Sequence, residues 1–276
     1  MILSSDILAI REDAIVVSQD GAKLTPKMAK YASSSGNGPL VSVAGRIAMV
    51  SIVGVIGDDC GAIPAGAIEQ AIGNLGADKA IRAIVLSIDS PGGSVYGLPE
   101  LATTIRKVAE AKNVVAVANP MAASAAYYIA SQARSIAVPP SGEVGSIGVI
   151  AVHMDWSGAL NSMGVKPTIV TSSKFKGEFS PLQPLSAEAK EELQRRVDSF
   201  DAMFVGDVAK GRNITENKVR ATFGQGRMLD AKTAVSVGMA DRVATLDQVL
   251  AKLGADMGTA DRMQAFASSL ELSSRL

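Results

Sequence analysis

The chain is poor in the side chains on which many functional sites depend. Its 276 residues include a single cysteine, Cys60, and a single histidine, His153. An internal disulfide is therefore excluded, and Cys60 has no companion for a metal site, so we expect a small, half-buried residue there. Aromatic residues make up only 4% of the chain. The core must therefore be built mainly from alanine, valine, isoleucine, leucine and methionine.

Long apolar runs and an excess of charge are also missing. Acidic and basic residues balance at 27 each, and no block of one sign indicates a nucleic-acid partner. No apolar run reaches the ~18 residues of a membrane-spanning helix, so we expect no membrane anchor. The first residues lack the basic segment and apolar core of a secretory signal. We therefore expect a cytoplasmic protein.

The pattern of apolar positions divides the chain into three parts. Residues 1–40 are predicted to be an extension, with positions compatible with a helix followed by a Ser/Gly-rich linker at residues 33–39. Residues 41–255 are predicted to form the main domain. Residues 256–276 have weak periodicity and are predicted to be a tail.

Within the main domain, short apolar runs alternate with segments of helical periodicity. This alternation predicts an α/β fold of βαβ units, with a mainly parallel sheet and helices on both of its faces. A long helix is predicted after Ser186, which is suited to cap its N-terminus. The predicted strands lie at residues 47–56, 83–88, 114–118, 135–138, 147–152 and 168–171.

Four segments carry groups suited to chemistry. The Asp-Ser-Pro-Gly-Gly-Ser turn at residues 89–94 follows a predicted strand, and its glycines allow backbone N–H groups to face a developing oxyanion. Ser124 lies among alanines at a predicted strand-to-helix junction, where a helix N-terminus favours negative charge. A Gly-Ser-Ile-Gly-Val segment at residues 145–149 and a loop containing Lys174 and Lys176 follow. Taken singly, each segment is more typical of an ordinary turn, cap or solvated loop.

In this order and spacing, the four segments resemble the signal-peptide-peptidase-A-like serine peptidases, especially their phage head-protein branch. The resemblance rests on the Ser-Pro-Gly-Gly, Ala-Ala-Ser, Gly-Ser-Ile-Gly-Val and Lys-x-x-x-Ser-Pro segments, and it covers about residues 41–250. It implies that the main domain is a peptidase domain with the spiral of βαβ units of the caseinolytic-protease-P/crotonase fold. The chain departs from the family at Ala125 and Ala126, where its signal peptidases usually have two glycines, and at Val144, which is often threonine.

The resemblance also implies a role for each matching residue. It indicates a serine endopeptidase with a Ser-Lys dyad that works through an acyl-enzyme, without a metal or a cofactor. A second serine would orient the lysine amine, and backbone N–H groups would form the oxyanion hole. The matching positions are Ser124 as nucleophile, Lys176 as general base, Ser146 as the supporting serine, and Gly92 or Gly93 together with Ala125 as backbone donors.

A lysine can act as a base only when its amine is neutral. An unperturbed lysine has a pKa of about 10.4, so the site must be apolar and free of carboxylates in order to favour the uncharged form. Glu178 is therefore predicted to point away from Lys176. Lys174 and Lys176 share a face of an extended segment, so their spacing does not choose between them, and only the resemblance favours Lys176.

Three alternatives remain open at this stage. A Ser-His-Asp triad would have to use His153, although a hydrogen-bonded structural histidine is the favoured interpretation at that strand end. A crotonase-type acyl-CoA enzyme would use the glycine turn but would leave the two serines and the lysine unexplained. The third alternative is a non-catalytic structural or assembly protein on the same fold.

The resemblance further implies partners. It predicts a homo-oligomer in which the serine and the lysine of one site come from neighbouring subunits. The phage branch implies capsid or scaffold proteins as substrates during capsid maturation, in the host cytoplasm or the virion, whereas the signal-peptidase branch implies membrane-derived peptides. The Ala-Phe-Ala segment at residues 265–267 is a candidate site of self-cleavage.

Overall fold

The structure is a computed structural model that describes residues 7–10, 40–58 and 61–257. Cys60 and the candidate self-cleavage segment at residues 265–267 lie outside these ranges, as do most of the predicted extension and tail. The predicted division of the chain into three parts therefore stays a prediction. Of the extension, residues 7–10 are a strand rather than part of a helix.

Short strands and helices alternate along the described chain. The strands are β1 (Ile7–Ile10), β2 (Val41–Ala44), β3 (Ile47–Val53), β4 (Ala83–Ser90), β5 (Gly92–Ser94), β6 (Asn113–Ala123), β7 (Ser135–Val138), β8 (Glu143–Gly145), β9 (Ile150–Ala151), β10 (Met228–Asp230) and β11 (Arg242–Val243). The helices are α1 (Ala65–Ala77), α2 (Leu98–Ala111), α3 (Ala125–Ala130), α4 (Ser157–Ser162), α5 (Ala187–Arg212), α6 (Glu216–Thr222), α7 (Ala231–Val237) and α8 (Leu246–Met257).

The main sheet is largely parallel, as predicted. Its strand order is β10-β8-β6-β4-β3-β2, and β7 pairs with both β6 and β11. The pairs β3/β4, β4/β6, β6/β7 and β6/β8 are parallel, whereas β2 and β10 add antiparallel edges. A separate sheet has the order β5-β1-β9. The predicted α/β fold with a mainly parallel sheet flanked by helices is therefore confirmed.

Helices cover both faces of the main sheet. Alternate residues of a strand point to opposite faces, so Ile84 and Leu86 of β4 enter one core and Val85 enters another. The larger core includes the buried faces of α1, α2, α3 and α5. The smaller one is closed by Val249 and Leu253 of α8. The apolar composition of β4 follows from its burial on both faces.

Strand β6 extends the sheet toward the candidate site. It pairs with β4 along one edge, whereas its other edge pairs first with β7 and then with β8. The last residue of the strand, Ala123, pairs with Gly145. Ser124 therefore follows the strand at an edge where β4, β6 and β8 all end.

The predicted helix cap at Ser186 is confirmed, whereas two predicted strands are wrong or shorter than expected. Ser186 caps α5, because its side chain accepts a hydrogen bond from the backbone N–H of Ala189 at 3.1 Å. By contrast, the predicted strand at residues 168–171 is wrong, since this segment forms no strand and Val170 is 89% exposed. The β-branched residues there have no neighbouring strand within the described chain. The predicted strand at residues 147–152 shrinks to Ile150–Ala151.

A buried polar cluster joins α3 to α5. Tyr128 donates a hydrogen bond from its hydroxyl to Asp207, which also lies 3.3 Å from the Arg106 guanidinium and 3.2 Å from the Lys210 amine. Burial and the hydrogen bond to Asp207 both raise the pKa of the Tyr128 hydroxyl. Tyr128 therefore stays protonated and keeps donating. The cluster fixes the helix that begins directly after Ser124.

Asp207→Ala should lower the free energy of unfolding by about 2 kcal/mol, because the buried Tyr128 hydroxyl and the Arg106 guanidinium lose their shared acceptor. Urea denaturation measures the effect. Asp198→Ala is the matched control, because this carboxylate lies on the exposed side of α5 and should change stability by less than about 0.5 kcal/mol. Equal stability of the two variants would contradict the structural role assigned to Asp207.

No helix within the described ranges combines the length and the apolar character that a bilayer crossing requires.

Candidate active site

Ser124 occupies a sharp turn between β6 and α3. Its backbone has φ 52° and ψ −118°, a conformation that side chains with a Cβ rarely adopt. Its N–H donates to the Gly145 carbonyl at 2.8 Å, and its carbonyl accepts from the Tyr128 N–H at 2.9 Å. The side chain is fully buried, and its Oγ has no hydrogen-bond partner. A strained serine with an unpartnered hydroxyl is typical of a functional site.

Alanines surround this turn for a steric reason. Residues 122, 123, 125 and 126 are all alanine, and each is fully buried. Larger side chains would have to fit between β6, β8 and α3, where little space is left. The Ala125–Ala126 pair, which departs from the family pattern, therefore packs without displacing Ser124.

Ser146 lies next to Ser124 across the sheet. Because Ala123 pairs with Gly145 in parallel register, the two serines are the next residues of neighbouring strands. Ser146 also has a positive φ, of 55°, and its N–H donates to the Arg227 carbonyl at 3.0 Å. A Cβ at Gly145 would lie 2.4 Å from the same carbonyl, so glycine is required there. The structure thus brings together the two serines that the sequence singled out.

The glycine turn forms β5, which packs against α3. The N–H of Gly92 donates to Ser90 Oγ at 3.2 Å within its own turn, whereas Gly93 pairs with Ala9 of β1, so Gly93 is the candidate donor for a site from which β1 is displaced. Gly93 passes so close to Ile56 that a Cβ would lie 1.8 Å from the Ile56 carbonyl oxygen. Ala125 is the first residue of α3, so its N–H has no acceptor within the helix.

The lysine loop lies on the surface of the single chain. Lys176 is exposed, and no ion pair joins it to Glu178 or to any other carboxylate of the described residues. Lys174 differs, because its amine lies 2.9 Å from Glu188 and stacks over the Phe175 ring. Both lysines line an open cavity of about 270 Å³. Neither Ser124 nor Ser146 is among the residues that line this cavity.

Ser124 and Lys176 therefore do not meet within one chain. The Ser124 hydroxyl is buried without a partner, whereas the Lys176 amine lies in an exposed loop. The two groups form no hydrogen bond. The structure brings the predicted nucleophile, the predicted supporting serine and the predicted backbone donors to one edge of the sheet and leaves Lys176 apart.

His153 does not match the structural role expected of it. Its Nε2 is buried and has no hydrogen-bond partner, so the prediction of a hydrogen-bonded histidine is wrong for this atom. The side chain of Ser157 and its backbone N–H, which lies 2.8 Å from Asp155 Oδ1, donate hydrogen bonds to the neighbouring Asp155 carboxyl and lower its pKa. No Ser-His-Asp triad is assembled among the described residues, because neither Ser124 Oγ nor His153 Nε2 has a partner.

Comparison with known proteins adds an independent observation. Residues 106–259, more than half of the chain, match the sequence pattern of Peptidase family S49. The chain belongs to peptidase family S49. The match includes Ser124, Ser146 and Lys176, whereas the glycine turn precedes it. The resemblance inferred from the four segments is thereby confirmed at the level of the family.

The chain is similar in sequence to proteins of bacteriophages and of a bacterium. It is 31% identical over 167 residues to head-tail preconnector protein GP5 of Enterobacteria phage P21, and this alignment covers 60% of the present chain and 33% of the relative. It is 32% identical over 166 residues to capsid assembly protease C of Escherichia phage lambda, with 60% of the present chain and 37% of the relative covered. It is 28% identical over 264 residues to protease 4 of Salmonella typhi, with 87% of the present chain and 41% of the relative covered. The chain therefore spans less than half of each of these relatives.

Sequence reasoning missed two features of the S49 site. The first is the pairing of residues 7–10 with the glycine turn, although the unbroken apolar run from Ile7 to Ile10 is typical of a buried strand. The second is the Arg227 carbonyl that holds Ser146. No local pattern marks a backbone acceptor 81 positions further along the chain.

Proposed function

We propose that this protein is a serine endopeptidase in which Ser124 is the nucleophile and Lys176 is the general base. The observation that carries the proposal is the buried, unpartnered Ser124 hydroxyl on a strained turn between a strand and a helix. The turn presents the hydroxyl beside the N-terminus of α3, where a developing oxyanion is stabilised.

The proposed reaction is acyl transfer. Ser124 Oγ attacks the peptide carbonyl carbon while its proton passes to the Lys176 amine. The N–H groups of Gly93 and Ala125 donate to the oxyanion of the tetrahedral intermediate. The intermediate collapses as the lysine returns the proton to the leaving amine. Water, deprotonated in turn by the lysine, then hydrolyses the acyl-enzyme.

The charges in the lysine loop favour Lys176 over Lys174. The Lys174 amine is held on the surface of its own chain by Glu188, 2.9 Å away. Lys176 has no carboxylate partner in the described part of the chain, so its side chain is free to reach a second surface. The sequence spacing left this choice open, and the ion pair supplies a physical reason for it.

Exposed apolar residues support a site that is completed by a second subunit. The segment that carries Lys176 also exposes Val170 by 89%, Met163 by 67%, Phe175 by 52% and Val165 by 49%. An apolar surface of this kind, next to an exposed lysine, is typical of an interface between subunits. We therefore propose that Lys176 of one subunit reaches Ser124 of its neighbour in a homo-oligomer.

The substrate class is also a proposal. The names of the phage relatives connect them with head-tail and capsid assembly, and we propose protein substrates of that kind, cleaved in the host cytoplasm or the virion. Membrane-derived peptides are the alternative, in line with the signal-peptidase resemblance. The fully buried alanines around Ser124 favour small side chains next to the cleaved bond.

A fluorophosphonate probe tests the nucleophile. The wild-type oligomer should be labelled at Ser124 and should cleave unfolded casein, whereas Ser124→Ala should show neither labelling nor cleavage, since the alcohol that attacks is gone. Peptide mapping of the labelled protein identifies the site. Ser42→Ala is the matched control, because this serine lies on the edge strand β2 away from the site. Labelling of another residue, or full cleavage by Ser124→Ala, would refute the proposal.

A further inference from the structure

The strand at residues 7–10 is held on both of its edges by elements of the site. On one side Ile10, Ala9 and Leu8 pair antiparallel with Gly92, Gly93 and Ser94. On the other side Leu8 and Ile7 pair antiparallel with Ile150 and Ala151. The strand thus lies between the glycine turn of β5 and the short strand β9.

The position of β1 is that of an extended peptide at an active site. β5 contains the proposed oxyanion donor Gly93, and Ala9 is its partner in the ladder. β5 also packs against α3, the helix that begins directly after Ser124. A polypeptide bound by main-chain hydrogen bonds along such an edge would run past the nucleophile.

The gap that β1 fills has the width of one strand. β5 and β9 are three and two residues long, and in the described chain they are joined only through β1. With β1 in place, β5 and β9 are separated by two strand spacings, about 9.6 Å. If β1 leaves, both edges expose unpaired backbone groups, which bind another extended chain.

We propose that residues 7–10 act as an internal competitor, a substrate-like strand that must leave this groove before a polypeptide substrate can reach Ser124. This inference rests on the proposed function, because it takes Ser124 and Gly93 as parts of the site. The competitor pairs through its backbone, so it blocks substrates of any sequence to the same degree.

Proline substitution in β1 tests the competitor without using catalysis. Proline has no N–H to donate, and the N–H groups of adjacent strand residues point to opposite neighbours. Leu8→Pro and Ala9→Pro therefore remove donors to different partners of β1. Both are made in the full chain with Ser124→Ala, so that bound peptide is not cleaved. Ala9→Ser, which keeps the N–H and nearly the same size, is the matched control.

The readout is the affinity for a fluorescein-labelled peptide that copies residues 4–13, measured by fluorescence anisotropy. Occupancy of the groove by β1 raises the apparent Kd of the peptide to its intrinsic Kd divided by the fraction of open groove, so each proline variant should bind the peptide at least about fivefold more tightly than Ala9→Ser. In the proline variants the peptide should also slow hydrogen exchange at residues 92–94 and 150–151. Equal affinities in the proline and serine variants, or no protection of these segments, would overturn the inference.

The two proposals fail in distinguishable ways. If the proline variants bind the peptide more tightly but the wild type never hydrolyses casein, the peptidase function is refuted, whereas the inference that β1 occupies a peptide-binding groove still holds. Normal hydrolysis in the wild type combined with unchanged peptide affinity would refute only the competitor. If one proline variant has an altered thermal unfolding temperature, its affinity is not used and the other proline variant takes its place. The hydrogen-exchange result then decides whether the peptide binds in the groove.

Discussion

Lys176→Ala should lower kcat/KM for casein hydrolysis by about 10³-fold, because the Ser124 hydroxyl would lose the base that accepts its proton. Lys174→Ala should lower it by less than about threefold, since the Lys174 amine is already paired with Glu188 on the surface. The two lysines are exposed residues of the same loop, so this comparison isolates the chemical role from the effect of removing a charge. Steady-state kinetics on the purified oligomer provide the measurement.

His153→Ala completes the same series. The Nε2 of this histidine is buried without a partner, so it is the one described imidazole that a triad would need. In the dyad mechanism its removal should leave kcat/KM within about threefold of the wild type. Activity that survives in Lys176→Ala and disappears in His153→Ala would refute the dyad and support the triad.

Mixing Ser124→Ala with Lys176→Ala should restore activity that neither variant has alone. In a ring where each site takes its serine from one subunit and its lysine from the next, a random equal mixture leaves about one quarter of the sites intact. The exposed lysine and the buried serine of the single chain are the reason to expect this result.

The mixing experiment requires subunit exchange, so the two variants are unfolded and refolded together before the assay. Ser124→Ala mixed with Ser124→Ala/Lys176→Ala is the control, because no combination of these chains supplies a nucleophile. No recovered activity in the first mixture, with oligomers of normal size, would place both groups of a site in one chain.

The sequence was sufficient to predict most of the fold, because buried strands and helix faces consist mainly of apolar residues. β4 and β6 are buried on both faces over most of their length, and they contain the apolar runs at residues 83–86 and 114–118. Ser186 was recognisable as a helix cap because a side chain makes the capping bond. The segment at residues 168–171 has the same β-branched composition but is exposed, so composition alone could not separate it from a strand.

The sequence points to part of the candidate site, and the limits have physical causes. Ser124 and Ser146 were singled out by the resemblance to the peptidase family, and the glycine and alanine neighbours that carry it fit the tight backbone of the structure. The proposed choice of Lys176 over Lys174 depends on Glu188, a residue of another element that no local pattern connects to the loop. The proposed role of residues 7–10 depends on pairing with segments more than 80 positions away, and such pairing leaves no periodic signal.

The turn at Ser124 is held by acceptors that are distant along the chain. Its N–H depends on the Gly145 carbonyl, and the N–H of the neighbouring Ser146 depends on the Arg227 carbonyl, more than 100 positions after Ser124. A ribosome-bound or half-folded copy lacks these acceptors and has nothing to hold the backbone in its unfavourable conformation. If Ser124 is the nucleophile that we propose, its reactivity would arise only when folding is complete.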